Sequence, residues 1–194
     1  MTKLLFVLFM VVLLASLAST AYEQSFNYFI KDQFNFKPSY NGIIKAVIGI
    51  LSLLVNSTLC MWIVKYKDCN KYLIGVLSLC TIATLAATGF EQVVPFIIIN
   101  LVYFAVNSIY IPLLQNTVAS QGTDKTTSMV MGFYNSIKSL GMIIGSLLAG
   151  FIYNVGPQLA FVFGGAFFLL AVIFMVYYYI KAPRAVMPTY HKSI

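Results

Sequence analysis

The sequence is poor in charge: aspartate, glutamate, lysine and arginine make up 9% of its 194 residues, and histidine occurs once, as His191. A soluble domain carries about 25% charged residues, so an ordinary water-soluble enzyme is excluded at the outset. One histidine in a polar tail supports neither an intramembrane Ser–His hydrolase nor an HExxH metalloprotease. The three cysteines, Cys60, Cys69 and Cys80, form no CxxC pair, which leaves no disulfide framework or zinc site to propose. There is no GxxxxGK[ST] phosphate loop, no pair of NPA motifs, and no enzyme or cofactor motif. Arginine is nearly absent, one against eleven lysines. With many Ile, Asn, Tyr and Phe, that bias points to AT-rich codons and a low-GC bacterial source.

What the chain has instead is apolar surface: 60% of its residues are hydrophobic, against ~45–50% in a soluble domain. A membrane-spanning helix needs about 20 such residues. Apolar runs separated by charged or Pro/Gly breaks fall at 4–30, 41–64, 72–89, 93–118, 128–153 and 157–180, followed by a polar tail at 181–194. The expectation is an all-α integral membrane protein, a single bundle of six transmembrane helices joined by short loops. The start of the first run imitates a secretory signal, with Lys3 ahead of it and the small residues Ala15, Ser16, Ala18, Ser19 and Ala21 within it. It continues, however, into Tyr22, Phe26, Tyr28 and Phe29, which read as an interfacial aromatic belt. It is therefore taken as an uncleaved first helix.

The net charge of +7 becomes an orientation. With the N-terminus inside, the inner segments hold Lys3, Lys65, Lys67, Lys71, Lys125, Lys181, Arg184 and Lys192, and the outer loops only Lys31 and Lys37. Basic residues resist translocation, so both termini are expected in the cytoplasm of a multi-pass cell-membrane protein. The charge then calls for a lipid bilayer as partner and for no nucleic acid.

Polar side chains within the spans carry the functional signal, because such groups are costly in hydrocarbon and face a protein interior or a wet cavity. Ser16, Thr20, Glu23 and Asn27 share one face of the first helix; Lys45, Gly49, Ser52 and Asn56 repeat the pattern in the second. Asn100, Tyr103, Asn107, Tyr110 and Leu114 form a stripe on the fourth. Either a shared central cavity or helix–helix hydrogen bonding accounts for three such stripes. Glu23 admits two readings: a carboxylate trading a proton for a cationic substrate, or an interfacial residue paired with Lys45. Lys138 reads as a coupling or gating residue or as a snorkelling cation, and Glu91 as a solvated residue at a helix start. Gly141 and Gly145 form a GxxxG pair suited to close helix packing, with Gly164 and Gly165 capable of the same in the sixth span. Pro112 is placed to kink the fourth.

Three segments then resemble a known family. Ser19–Phe36, STAYEQSFNYFIKDQFNF, is similar to the seventh helix and following loop of drug:proton antiporters of the major facilitator superfamily, and Asn41–Val55, NGIIKAVIGILSLLV, to their eighth. Gly132–Tyr153, GFYNSIKSLGMIIGSLLAGFIY, resembles the eleventh helix with its S-x-[RK]-S-L-G-x-I-I-G pattern. The loop WIVKYKDCNKY keeps Asp68 and its lysines but lacks the Arg and Gly of that family's gating motif. The resemblance implies the C-terminal six-helix half of a twelve-helix permease that exports amphipathic or cationic small molecules by proton exchange. Glu23, Asn27, Asn56, Asn100, Tyr103, Asn107 and Tyr110 would contact substrate or proton, with Phe26 adding an aromatic face. Lys45, Asp68 and Lys138 would serve coupling or gating. An N-terminal six-helix half, or a second copy in parallel, would have to complete the cavity. The rivals are a permease for sugars or other metabolites and a non-transporting remnant or subunit.

Overall fold

A computed structural model describes residues 3–60, 62–63, 68–90, 92–123 and 125–182. Val64, Lys65, Lys67, Glu91, Arg184, His191 and Lys192, which figure in the sequence reading, lie outside them. Six helices are long and apolar enough to cross a membrane, and no strand occurs among the described residues. They are α1 (Lys3–Asp32), α2 (Pro38–Val55), α3 (Cys69–Ala86), α4 (Val93–Ala119), α5 (Thr127–Val155) and α6 (Pro157–Lys181).

Helix α1 is the hub. It packs chiefly on α5 and α6, while α3 bridges α6 and α4, and α2 leans on α4 with only a light touch on α1. The sequence explains why α1 can be central: Ala15, Ser16 and Ala18 are small and buried, so neighbouring backbones come close. A Cβ built on Gly141 of α5 would lie 2.6 Å from the Leu13 carbonyl oxygen, and one on Gly145 would lie 2.5 Å from that of Leu17. With no hydrophobic drive between helices in lipid, such close van der Waals contact is what holds them together. The small residues that look like a signal cleavage region are thus a packing surface.

The aromatic stretch at the other end of α1 also turns inward. Tyr22 and Phe26 are fully buried and Phe29 nearly so; only Tyr28 is exposed. Phe29 stacks on Phe96 of α4 at 4.7 Å, Phe96 meets Phe161 of α6 at 5.8 Å, and Tyr22 lies 4.0 Å from Tyr103. These rings form the core that joins α1, α4 and α6, in correction of the interfacial-belt reading.

Two helix boundaries differ from the apolar runs for local reasons. The second run extends to Val64, but α-helical geometry stops at Val55 and a π-helical turn follows at Asn56–Cys60. There the Ser57 and Thr58 hydroxyls donate to the Leu54 carbonyl at 3.1 and 2.7 Å, competing with the backbone for its acceptors. Helix α3 begins at Cys69, ahead of the expected residue 72, because the Asp68 carboxylate caps it, accepting from the Asn70 amide at 3.2 Å. In the α1–α2 loop Asn35 takes a left-handed conformation, φ 52°, which Asn tolerates better than most residues. Pro38 then starts α2, where its missing N–H is harmless.

Candidate functional site

Helix α2 has no buried residue, and two of its polar side chains, Asn41 and Lys45, reach α1. Lys45 donates from Nζ to Glu23 Oε1 at 3.0 Å, with 42% and 47% of the two side chains exposed. Asn41 Nδ2 donates to Asn27 Oδ1 at a long 3.5 Å, one helical turn away on both helices. At half exposure the ion pair contributes no more than about 1 kcal/mol to stability. Its exposed half is the informative part, since charged groups turned toward acyl chains are heavily penalised. This face of α1 and α2 therefore borders water or another protein segment.

The third stripe is of a different kind. Asn100, Tyr103 and Tyr110 are buried and spent on packing. Tyr22 donates from its hydroxyl to Asn100 Oδ1 at 2.8 Å, and Asn100 Nδ2 returns to the Phe96 carbonyl at 2.8 Å. Asn107 Nδ2 donates to Ser19 Oγ at 3.1 Å, and Tyr103 donates to Asn107 Oδ1 at 3.4 Å. Tyr110 sits beside Ser16 and Ser19. The stripe is a polar seam between α1 and α4, with Asn107 partly buried, and with Phe26 buried as well it opens no ring face to a ligand.

Open hydrogen-bonding capacity lies elsewhere. The side-chain carbonyl oxygens of Asn41 and Asn56, both on the α2 side, are buried without a partner. Such groups are costly unless something supplies a donor. Asn56 belongs to the stripe read from the sequence; Asn41, one turn before Lys45 at the very start of the second apolar run, extends the same stripe.

Helix α5 adds a second feature that the glycine pattern obscured. Asn135, Ser136, Ser139, Ser146 and Asn154 are exposed and recur at helical spacing along one side. Ser136 and Ser146 bond back to the Gly132 and Met142 carbonyls, while Gly141 and Gly145 face the opposite way, into α1. Lys138 is half-buried near this stripe and forms no ion pair among the described residues. Asp68 stands apart as the α3 cap.

Taken together, α1, α2 and α5 present one polar, incompletely covered side, and α3 and α6 close the other. Among the described residues no group of acidic, cysteine or histidine side chains could hold a metal ion. No curated protein matches the chain. Residues 4–192, nearly all of it, match the Major Facilitator Superfamily, and the chain belongs to that superfamily of multi-pass membrane transport proteins.

Proposed function

We propose that this bundle forms one wall of a proton-coupled efflux permease for amphipathic or cationic small molecules, with Glu23 as the exchange site. The Glu23–Lys45 pair carries the reading. It bridges two helices that otherwise touch lightly, and a single carboxylate holds one cation at a time. A proton on Glu23 removes the partner of Lys45 and frees α2 from α1. A deprotonated Glu23 holds either Lys45 or a permeant cation that displaces it. Exchange of proton for drug then follows from competition at one group. Asn27, Asn41 and Asn56 supply hydrogen bonds along the path. Asn100, Tyr103, Asn107 and Tyr110 act behind it, by fixing α1 against α4.

In such a transporter two helical bodies rock about a site at their interface. The polar side of α1, α2 and α5 is the surface we assign to that interface, filled by another six-helix half or by a second copy of this chain. The balance of basic residues supports a cell-membrane orientation with both termini in the cytoplasm.

Accumulation of a fluorescent lipophilic cation in cells expressing the chain tests the reading. Lower dye levels are expected, with the difference lost when the proton gradient is collapsed and lost in Glu23→Gln. Dye levels indifferent to expression would overturn it. A second reading, a permease for sugars or similar metabolites, draws on the orphan acceptors of Asn41 and Asn56, which suit hydroxyl donors. Labelled sugar uptake abolished by Asn41→Leu but retained in Glu23→Gln would favour it.

A further inference from the structure

The π-helical turn at Asn56–Cys60 separates two parts of one span that are held very differently. Beyond the turn Ile63 is buried, at 5% exposure, and the turn itself rests on α4. Ahead of it no residue of α2 is buried, and α2 is tied to α1 by the Glu23–Lys45 pair and the long Asn41–Asn27 bond. A π-turn closes i→i+5 where an α-turn closes i→i+4, so it holds one residue more. Straightening it while the anchored part stays in place turns the whole of α2 by one residue, about 100°, and shifts it along its axis by about 1.5 Å.

What keeps the extra residue in place is local. In a straight helix the Leu54 carbonyl accepts from the Thr58 amide. Here the Ser57 and Thr58 hydroxyls donate to that carbonyl at 3.1 and 2.7 Å, and the Thr58 hydroxyl also reaches the Val55 carbonyl at 3.5 Å. Against this gain, the side-chain carbonyls of Asn41 and Asn56 are buried without a donor, which is costly. Little packing opposes a turn of α2, since nothing on it is buried.

The sequence of α2 suits both registers. A shift of one residue puts Ala46 where Lys45 stands and Gly42 where Asn41 stands, so each polar residue that reaches α1 is followed by a small one. Neither small residue is required by the packing of the π register: a Cβ added at Gly42 would meet nothing within 4 Å, and Ala46 is exposed. In the shifted register they leave room beside Glu23 and Asn27 that the longer side chains otherwise fill.

We propose that α2 is a two-register latch. In the π register Lys45 and Asn41 cover Glu23 and Asn27; in the straight register Ala46 and Gly42 stand there and uncover both. The purpose of the latch rests on Glu23 being the exchange site, but its movement is measured without transport.

Disulfide formation in the full chain in nanodiscs, in a background with the native cysteines replaced, reads the register. Asn27→Cys with Asn41→Cys reports the π register, and Asn27→Cys with Gly42→Cys the straight one. Both pairs should cross-link, the first faster. Glu23→Gln, which removes the partner of Lys45, should lower the ratio of the first rate to the second about fivefold. Ser57→Ala with Thr58→Ala, which frees the Leu54 carbonyl, should move the ratio the same way. Deleting Ser57 takes out the extra residue and leaves a straight helix with Lys45 still opposite Glu23, so the first pair should then dominate even with Glu23→Gln. The latch is overturned by a ratio that Glu23→Gln leaves unmoved, by a rise in the Ser57→Ala, Thr58→Ala variant, or by a Ser57 deletion still sensitive to Glu23→Gln. An unmoved ratio beside Glu23-dependent dye efflux sinks the latch alone. A moved ratio with dye levels indifferent to expression sinks the exchange reading alone.

Discussion

Tyr22 and Tyr103 lie side by side in the core, 4.0 Å apart, yet their hydroxyls are held with unequal strength. Tyr22 satisfies Asn100 Oδ1 at 2.8 Å in a fully buried setting, whereas the Tyr103 bond to Asn107 is 3.4 Å long, at the weak edge of the range. Orphaning a buried acceptor costs about 1–3 kcal/mol in soluble proteins, but interhelical bonds in membranes average nearer ~0.6, with a maximum of ~1.7. Tyr22→Phe is therefore expected to destabilise by about 1 kcal/mol and Tyr103→Phe by less than about 0.5, since the bond lost from Asn107 Oδ1 is already long and Asn107 is only partly buried. Reversible unfolding in mixed micelles measures both, and the reverse order would show that the seam is held elsewhere. At this scale the sequence was half legible. Spacing placed Asn100, Tyr103, Asn107 and Tyr110 on one face, but could not say whether that face meets water or α1. Glu23 and Lys45 were legible as a pair because only two charges occupy those two spans between residues 4 and 30 and between 41 and 64. The acceptor of Asn41 was not, because its partnerless state depends on atoms of α1.

Between elements, the glycines of α5 divide into two classes that the sequence alone treats alike. Gly145 touches the backbone of α1, where a Cβ would come within 2.5 Å of the Leu17 carbonyl oxygen, and no side-chain rotation relieves a backbone clash. Gly132 has nothing within 4 Å of its would-be Cβ. Gly145→Val should separate α1 from α5 and cost about 3 kcal/mol or more. Gly132→Ala should be neutral or stabilise by about 0.5–1 kcal/mol through helix propensity. Thermal melts of the two variants in the same detergent check this, and equal effects would refute the packing account. The end of α2 is instructive in another way. Hydropathy runs on beyond Asn56, but local hydroxyl bonds at Ser57 and Thr58 redirect the backbone into a π-helical turn. A periodicity argument sees the burial of side chains and is blind to such competition for carbonyls.

For the molecule as a whole, membership of the superfamily and six membrane-length helices leave orientation as an expectation to be measured. In a background with Cys60, Cys69 and Cys80 replaced, Asn35→Cys should react with an impermeant maleimide on intact cells. Lys71→Cys should react only after permeabilisation. Labelling in the opposite sense would invert the bundle. The sequence by itself determined the class: about six spans of apolar residues with almost no charge cannot fold in water, and counting suffices because the bilayer forces every span to be a helix. Tertiary structure decided which polar residues are spent and which are free. It consumed the α4 stripe in hydrogen bonds to α1 and left Glu23 and Lys45 half open. The reason is physical. Each side chain's helix face is local and periodic, whereas its hydrogen-bond partners are set by which backbones approach closely, here along the glycines that seat α5 on α1.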